Sequence, residues 1–453
     1  MIVVKFGGTS VADASAITAA GEIVRGRLPR EPIVVVSALG GATNVLLGLA
    51  RQAAEGQIIP AQSAVKDLRE RHHREAAALL AGDASLAEVR AELDAHFDEI
   101  SRLADALHTL GFTTPRALDA IAAKGEICSA LLCAHAFRAR GIPATLVDAR
   151  DVMITDDEFT KAAPQRELIA EAARARLLPV LRDGRVPVLG GFIGGTSQRV
   201  TTTLGRGGSD YSASLIGAAL QADSIEIWTD VDGMLTADPR VVPDARLIPT
   251  IRFDEAAELA SFGAKVLHPS TIAPAVQKSI PVYVFNTRRP DGSGTRIAFD
   301  APVRAVTALA GKSGVTIVKV RSSRMLLAHG FARRIFEAFE RHRTSIDVVA
   351  TSEVSVSVTL DDASRLEAIV SELRELGDVS VERNRGIVSL VGTGLADDAA
   401  AMATALGALA GLRVHMLSLS ATGINLTILV DGDQVHDAMR RLHAAFFPAT
   451  VTA

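Results

Sequence analysis

Residues 201–240 run TTTLGRGGSDYSASLIGAALQADSIEIWTDVDGMLTADPR. The stretch opens on a tight glycine-rich turn, Gly205-Arg206-Gly207-Gly208-Ser209-Asp210, which leads into a segment of helical spacing from Tyr211. Its glycines let the backbone approach a ligand closely. The helix N-terminus behind them offers free N–H groups and a partial positive charge, which suits an anion. A simpler interpretation is a helix cap formed by Ser209 or Asp210.

The second half of the stretch favours the anion site. A short β-type run, Ser224–Trp228, stops at the acidic turn Thr229-Asp230-Val231-Asp232-Gly233, and Asp238-Pro239-Arg240 follows. Open α/β sheets bind their ligands at the carboxyl ends of strands. The stretch therefore predicts a phosphoryl-transfer site. The chain has no GxxxxGK[ST] motif and no kinase HRD or DFG motif, so we expect a different phosphate chemistry.

Composition narrows the class of protein. A chain of 453 residues predicts two or three domains. Its 48 basic and 52 acidic residues nearly balance, which argues against nucleic acid as the main partner. The N-terminal apolar run is too short for a signal peptide, and no long apolar segment appears. We therefore expect a soluble, cytoplasmic protein without a membrane partner. Cys128 and Cys133 are interpreted as buried thiols, and no metal site is predicted.

The N-terminal strand carries an anomalous lysine. Ile2–Phe6 is a buried-type strand followed by the turn Gly7-Gly8-Thr9-Ser10, and Lys5 lies inside it. A lysine in a buried strand needs a partner. Lys5 either reaches solvent from an edge strand or places its ammonium beside a phosphate at the glycine turn.

Strands alternate with helices through residue 298, which predicts a parallel sheet covered on both faces, an α/β fold. The predicted strands at Ile33–Val36 and Val186–Phe192 also end in glycine-containing turns, the second at Gly194-Gly195, which gathers polar groups at one edge of the sheet. Gly125 within a helix suggests that another element approaches closely there. The neighbouring Glu126 is interpreted equally well as an acceptor for an amine or as a helix-surface acid.

The pattern changes near Val315. Two βαββα units follow in tandem, an internal repeat with no catalytic constellation, so a ligand-binding or pairing role is expected. The apolar run Ala305–Ala310 fits neither unit and is a candidate strand of the second.

Four motifs together resemble aspartate kinase: Lys5-Phe6-Gly7-Gly8-Thr9-Ser10, Gly205–Asp210, Thr229-Asp230-Val231 and Phe262-Gly263-Ala264-Lys265-Val266-Leu267-His268-Pro269. The resemblance implies an amino-acid-kinase-type open, mostly parallel sheet sandwiched by helices, followed by two α+β ACT domains. The implied boundaries are 1–298 for the catalytic domain, 314–384 for the first ACT domain and 385–453 for the second, with 303–311 as its additional strand. Because no dehydrogenase segment follows Ala453, a monofunctional kinase of the lysine-sensitive type is expected.

The family's reaction converts ATP and L-aspartate to ADP and 4-phospho-L-aspartate, the first step toward lysine, threonine and methionine. The resemblance implies that the nucleotide is held by Lys5, Gly7, Gly8, Ser10, Thr229, Asp230, Leu235, Arg240 and Lys265. Leu235 stands where close relatives have a tyrosine. Aspartate would be held by Ser37, Thr43, Glu126, Phe192, Thr203, Arg206, Ser209 and Asp210.

Physical chemistry supports these implied roles. The Arg206 guanidinium can fork onto a carboxylate, and Glu126 suits the α-ammonium. Asp210 would hold the catalytic Lys5 rather than act as a base, because a carboxylate nucleophile is already deprotonated at neutral pH. Mg²⁺ would neutralise the ATP phosphates with few protein ligands of its own.

The first ACT unit resembles that of the lysine-inhibited branch, in which the effector lies at a dimer interface. The matching positions are Met325, Gly330, Phe331, Ile346, Asp347, Ser352 and Glu353, whereas Ala328 and Ala332 depart from a serine and a leucine. The resemblance implies a homodimer through the ACT domains, with a tetramer as a further option. Lysine is the expected effector and threonine the next candidate.

Two other classes are kept as alternatives. Another amino acid or carbamate kinase would lack the Phe262–Pro269 motif and the ACT pair. A catalytically silent amino-acid sensor would be expected to have lost Lys5, Arg206 or Asp210, and all three are present.

Overall fold

A computed structural model describes residues 1–205, 207–262 and 267–448. The chain divides into two compact units. The first unit comprises Met1–Met234 and Val266–Asp300, and the second comprises Leu235–Lys265 and Ala301–Ala453. Within the described ranges, no helix combines the length and apolar character that crossing a membrane requires. The domain boundaries that the sequence suggested remain a prediction.

The described residues form sixteen strands and fifteen α-helices. The strands are β1 (Ile2–Phe6), β2 (Pro32–Val36), β3 (Ala144–Leu146), β4 (Val186–Gly190), β5 (Ile193–Gly195), β6 (Thr201–Thr203), β7 (Ser224–Thr229), β8 (Thr250–Ile251), β9 (Val282–Asn286), β10 (Thr295–Ile297), β11 (Ala308–Arg321), β12 (Val349–Ser352), β13 (Ser355–Leu360), β14 (Asp378–Val391), β15 (Met416–Leu419) and β16 (Asn425–Asp431). The helices are α1 (Ala14–Arg27), α2 (Ala42–Ala54), α3 (Ile58–Leu79), α4 (Leu86–Leu110), α5 (Pro115–Ala122), α6 (Lys124–Ala139), α7 (Arg166–Arg176), α8 (Leu178–Arg182), α9 (Gly208–Leu220), α10 (Phe253–Ser261), α11 (Pro269–Gln277), α12 (Phe331–Arg341), α13 (Leu366–Leu373), α14 (Ala399–Ala408) and α15 (Val435–Phe446).

The first unit is built on the open, largely parallel sheet that the sequence predicts, which confirms the fold class. Its strands follow the order β3-β4-β2-β1-β7-β9-β10, with β1 parallel to both β2 and β7. Strands β1 and β2 are short runs, apolar except for Lys5, that are buried at every position, as expected for the middle of a covered sheet. From β1 the chain moves to β2 on one side and returns to β7 on the other. Ligands bind at such a change of direction, beyond the carboxyl ends of the strands.

The alternation of side chains along β1 positions its lysine. Ile2, Val4 and Phe6 point into the large core formed with α1–α4 and α6. Val3 points to the other face, where its Cγ2 lies 3.8 Å from the Cβ position of Gly217 in α9. Because side chains alternate with a period of two, Lys5 shares the face of Val3 and is directed toward α9.

The second unit contains one six-stranded antiparallel sheet in the order β12-β13-β11-β14-β16-β15. The two predicted repeats share it through the long central strands β11 and β14, which pair along their whole lengths. The run Ala305–Ala310, a candidate strand of the second repeat, contributes Ala308–Ala310 to the start of β11. A register shift near Gly314, whose φ of +84° favours glycine, connects this part to the remainder of the strand.

A segment from the middle of the chain also belongs to the second unit. Helix α10 carries Glu255, a fully buried carboxylate that accepts hydrogen bonds from the Thr307 hydroxyl at 2.9 Å and from the backbone N–H of Thr393 at 2.9 Å. One turn later, Glu258 accepts a hydrogen bond from the Asn425 side chain at 2.7 Å. These contacts tie α10 to the same unit as the C-terminal sheet.

Candidate active site

A cavity of about 830 Å³ opens at the carboxyl edge of the sheet in the first unit. It gathers residues that are distant in sequence but share the ends of β1, β2 and β6 and the starts of α2, α6 and α9. Nine of the residues singled out from the sequence line it: Lys5, Gly8, Ser37, Thr43, Glu126, Phe192, Thr203, Ser209 and Asp210. The structure thus brings together one side chain of the predicted phosphate site and the predicted amino-acid site.

Lys5 lies at this cavity, paired with an acid. Its Nζ is 2.6 Å from Oδ1 of Asp210, in the first turn of α9. Lys5 is only 8% exposed, so it does not reach solvent as an edge-strand lysine would. The ammonium is held at the N-terminus of α9, where the helix dipole also favours an anion.

The turn before α9 depends on its glycines. Gly207 has φ +69° and immediately precedes the helix. A Cβ on Gly208 would lie 2.6 Å from Cδ2 of Phe192, so only glycine leaves room for that ring. Phe192 itself adopts φ +64°, an uncommon conformation for a side chain of this size, and its N–H donates to Ser212 Oγ at 3.0 Å. Close packing of this kind fixes the geometry of the cavity wall.

Glu126 is the most unusual group in the cavity. It is 3% exposed, Oε1 accepts a hydrogen bond from the Ala38 N–H at 3.3 Å, and Oε2 is buried without a hydrogen-bond partner among the described residues. Burial raises the pKa of Glu126 to about 8, against the smaller opposing effect of the Ala38 hydrogen bond. The alternative of a helix-surface acid is therefore wrong, and the carboxylate is suited to a cationic ligand.

Asp119 is a cavity residue that the sequence analysis missed. It is 1% exposed and accepts hydrogen bonds from the Thr203 hydroxyl at 2.6 Å and from the backbone N–H groups of Thr203 and Thr160 at 3.0 and 2.9 Å. Burial raises the pKa of Asp119, and these hydrogen bonds oppose the rise. The available signal was a single acid in the apolar segment ALDAIAA, seven residues before Glu126.

The structure does not place every predicted nucleotide residue at the cavity. The Gly7 N–H donates to the Trp228 carbonyl at 3.0 Å, and the Ser10 hydroxyl donates to that carbonyl at 3.1 Å and contacts Thr287 Oγ1 at 2.6 Å. Both residues therefore hold the exit of β1 against β7. Thr229 ends β7, and its hydroxyl donates to Asp230 at 3.3 Å.

Arg206 and Lys265 fall outside the described residues. Leu235 and Arg240 belong to the second unit, where Leu235 forms a β-bridge with Leu247 and Arg240 pairs with Asp238 at 2.6 Å. The roles of Arg206 in catalysis and aspartate binding, and of Lys265, Leu235 and Arg240 in nucleotide binding, stay predictions.

Within the described parts of the chain, no group of three or more His, Cys, Asp or Glu side chains converges as metal ligands. The acids near the ends of β1 and β7 are engaged in other ways: Asp210 pairs with Lys5, and Asp232 accepts from Asn286 at 2.7 Å and pairs with Arg289. This donor set fits an Mg²⁺ ion that takes most of its ligands from nucleotide phosphates.

The predicted effector residues lie around the first half of the repeat. Met325 ends a short 3₁₀ turn, Gly330 with φ +76° precedes α12, and Phe331 begins that helix as a buried residue. Ile346 and Asp347 come just before β12, while Ser352 and Glu353 lie at its end, where Ser352 Oγ is 2.7 Å from Ser355 Oγ. Their role in effector binding stays a prediction.

A lysine that the sequence analysis missed occupies part of this region. Lys312 Nζ lies 3.4 Å from Asp347 Oδ2 and 2.6 Å from Asp361 Oδ2. Partial burial of its carboxylate raises the pKa of Asp347; Lys312 opposes the rise and Asp361 adds to it. A cationic effector at Asp347 would therefore meet an ammonium group already in place.

The site and fold define an amino acid kinase whose C-terminal unit carries ACT domains. Residues 1–286 match the amino acid kinase family and residues 388–446 match the ACT domain family. The chain is 37% identical to the lysine-sensitive aspartokinase 3 of Escherichia coli over 99% of both chains. It is 35% identical to the chloroplastic aspartokinase 3 of Arabidopsis thaliana over 98% of this chain and 81% of that protein.

Solved structures give the same result. A structure of Escherichia coli aspartokinase III with lysine and aspartate, in the T-state, matches with a TM-score of 0.82 and 37% identity over 99% of both chains. Its R-state complex with aspartate and ADP matches with a TM-score of 0.83 and 36% identity over 99% of this chain and 100% of that one. The chain belongs to the aspartokinase family.

The buried Glu126 carboxylate should reduce the stability of the ligand-free protein. Its folded pKa of about 8 lies above the unfolded value of 4.5, so the folded state holds a proton that the unfolded state has released. Raising the pH from about 5 to 8 should therefore favour unfolding, by about 1.4 kcal/mol per pH unit at most. Glu126→Gln removes this titration.

Thermal melts over pH 5–9 test this expectation. The Tm advantage of Glu126→Gln over the wild type should grow up to about pH 8 and then level off. Glu55→Gln, at an exposed position, is the matched control and should track the wild type. A difference between Glu126→Gln and wild type that does not vary with pH would show that Glu126 is ionised throughout.

Proposed function

We propose that this aspartate kinase binds L-aspartate in the cavity of the first unit, with its α-ammonium at Glu126 and its carboxylates toward the N-terminus of α9. The observation that carries the proposal is the pairing of opposite features in one cavity. Among the described residues, Oε2 of Glu126 is buried without a hydrogen-bond partner, and Glu126 lines the same cavity as Lys5 and the first turn of α9. An amino acid with a second carboxylate complements that arrangement.

The reaction requires little covalent chemistry from the protein. A side-chain carboxylate oxygen of aspartate attacks the γ-phosphorus of ATP, the bond from that phosphorus to the bridging oxygen breaks, and ADP leaves. No proton has to be removed, because the attacking carboxylate is already ionised. Lys5 supplies positive charge to the transferring group, and Asp210 orients Lys5. Gly8 keeps the turn after β1 open to the phosphates.

Mg²⁺ would enter with ATP. When bound, it neutralises the charge on the phosphate oxygens, which supply most of its ligands. Lys5 and the free N–H groups at the start of α9 would then complete the electrostatic environment of the transferred group.

We also propose that lysine regulates the enzyme through the second unit. The relative solved with lysine supports this proposal, as do the two carboxylates Asp347 and Glu353 near β12. An inhibitor acts only through its differential affinity for two conformations. The exposed apolar side chains Val349 and Leu417, on the strands at the two ends of the sheet order, fit a homodimer through the ACT domains, and a tetramer remains an option.

A coupled assay with ATP and L-aspartate, with and without lysine and threonine, tests the overall function. Turnover that depends on aspartate and falls with lysine is the expected result. A folded chain that binds lysine without phosphorylating aspartate would instead be an amino-acid sensor.

Lys5→Ala should retain the fold and lose most of the turnover. Removing one preorganised electrostatic contact to the transferring group lowers kcat by roughly 10²–10³-fold. Lys66→Ala is the control, because Lys66 is an exposed lysine in a surface ion pair with Glu70. A kcat for Lys5→Ala equal to that of the control would leave Lys5 without a catalytic role.

The kcat/KM for aspartate should rise with pH. Glu126 must be ionised to accept the ammonium, and its pKa of about 8 leaves it mostly protonated at pH 6–7. Because kcat/KM reports groups of the free enzyme, we expect up to about a tenfold rise per pH unit below pH 8, then a plateau. Glu126→Gln should flatten the profile and raise the KM for aspartate, with the KM for ATP little changed. A wild-type profile matching that of the variant would remove Glu126 from the substrate site.

Asp347→Ala should weaken inhibition by lysine. Loss of a charged hydrogen-bond partner corresponds to a rise of about tenfold or more in the inhibitory concentration. Asp361→Ala is the matched control, because Asp361 pairs with the same Lys312 but is not a predicted effector ligand. Inhibition curves normalised to each variant's activity without lysine give the measurement. Equal shifts in the two variants would assign the effect to Lys312 pairing and not to effector binding.

A further inference from the structure

We propose that Asp119 is a positioning residue that fixes the Thr203 hydroxyl as a hydrogen-bond acceptor toward the cavity and so builds, with Glu126, a subsite selective for the α-ammonium of the substrate. This inference rests on the proposed function and deepens it. It assigns the preference for an amino dicarboxylate, over a dicarboxylate without an amino group, to a residue that acts through the Thr203 hydroxyl.

The hydrogen bonds around Asp119 determine the direction of the Thr203 hydroxyl. Asp119 Oδ2 accepts two backbone N–H groups, from Thr203 at 3.0 Å and Thr160 at 2.9 Å. Asp119 Oδ1 is 2.6 Å from Thr203 Oγ1. An ionised carboxylate can only accept hydrogen bonds, and a hydroxyl has only one proton to give. The Thr203 proton is therefore committed to Asp119, and only oxygen lone pairs remain for a ligand.

The hydrogen bond that the Thr203 hydroxyl donates to Asp119 determines which ligands Thr203 can bind. Thr203 and Asp119 both line the cavity that also contains Glu126. A hydroxyl oxygen without a free proton accepts from an ammonium but cannot donate to a carboxylate. The buried Oε2 of Glu126 has the same character when ionised. Two acceptors in one buried cavity select a cationic donor, and a carboxylate placed there would find no hydrogen bond.

Asp119→Asn reverses this polarity while keeping the shape of the side chain. The amide oxygen would take the two backbone N–H groups, which leaves the NH₂ group facing Thr203 Oγ1. The hydroxyl would then accept from Asn and turn its own proton toward the cavity. The variant should raise the KM for aspartate about 10–100-fold, the range for a lost hydrogen bond to a charged group. Succinate, the dicarboxylate without the ammonium, should become a stronger competitive inhibitor.

The measurement is the ratio of the succinate inhibition constant to the KM for aspartate, in the full-length enzyme. Asp119→Asn should lower this ratio in the wild-type background and leave it unchanged in a Thr203→Val background, because no hydroxyl remains to be turned. The KM for ATP serves as an internal control. If Asp119→Asn raised the KM for aspartate and the inhibition constant of succinate by the same factor, Asp119 would have a merely structural role and the inference would be overturned.

Two further variants keep the test decisive. Thr203→Ser retains the hydroxyl and should keep the wild-type ratio of the succinate inhibition constant to the KM for aspartate. Thr203→Val alone should raise the KM for aspartate and leave the inhibition constant of succinate unchanged. If Asp119→Asn does not fold, this pair decides, and equal effects of Thr203→Val on both ligands would overturn the inference. A wild-type enzyme that does not phosphorylate aspartate would contradict the proposed function itself. Normal wild-type turnover with an unchanged ratio in Asp119→Asn would contradict only the role of Asp119.

Discussion

Three carboxylates, two of them buried and one partly buried, govern the electrostatics of the cavity in the first unit. Each is compensated differently. Asp210 pairs with the Lys5 ammonium at 2.6 Å, Asp119 accepts from three donors, and Glu126 retains one oxygen without a partner in the part of the chain that the structure describes. Isolated buried charge is costly, so two of the acids are satisfied by the protein and the third is left for the substrate. A site built in this way is least stable when it is empty, which is the usual cost of preorganised binding.

Glycines in the surrounding backbone allow the helices that carry two of these acids to pack closely against the strand exits. A Cβ on Gly125 would lie 2.9 Å from Cβ of Ala38, and one on Gly191 would lie 2.7 Å from Cβ of Ser209. Helices α6 and α9 can therefore approach the exits of β2 and β4 only where a side chain is missing. Because side chains alternate along β1, Lys5 is directed toward α9, whereas the adjacent Val4 and Phe6 are directed into the core. The electrostatics of the site thus depend on close packing of the backbone.

The sequence predicts these features unevenly, for physical reasons. Lys5 could be recognised from the sequence because a buried strand is otherwise built from apolar residues, and a lysine there needs a partner. Glu126 remained undecided because α6 is buried on nearly all its faces, so helical periodicity gives no direction. Asp119 was missed because its partners Thr160 and Thr203 lie more than 40 residues away. The Lys312 pairing with Asp347 and Asp361 depends on sheet register, which a single sequence specifies poorly.

The boundary between the two compact units does not follow the order of the sequence motifs. The amino acid kinase match spans residues 1–286, yet Leu235, Arg240 and α10 fold with the C-terminal sheet. Glu255 secures that arrangement, because its buried carboxylate is satisfied by Thr307 and Thr393 of the same unit. Moving α10 away from the sheet would break these hydrogen bonds and leave the buried Glu255 carboxylate partly unpaired. Because an unpaired buried charge is costly, the hydrogen bonds strongly oppose separation of α10 from the sheet. Residues that resemble nucleotide ligands are therefore carried by the unit that holds the predicted effector site. In this chain, the segment that matches the amino acid kinase family extends beyond the compact unit that holds the candidate active site.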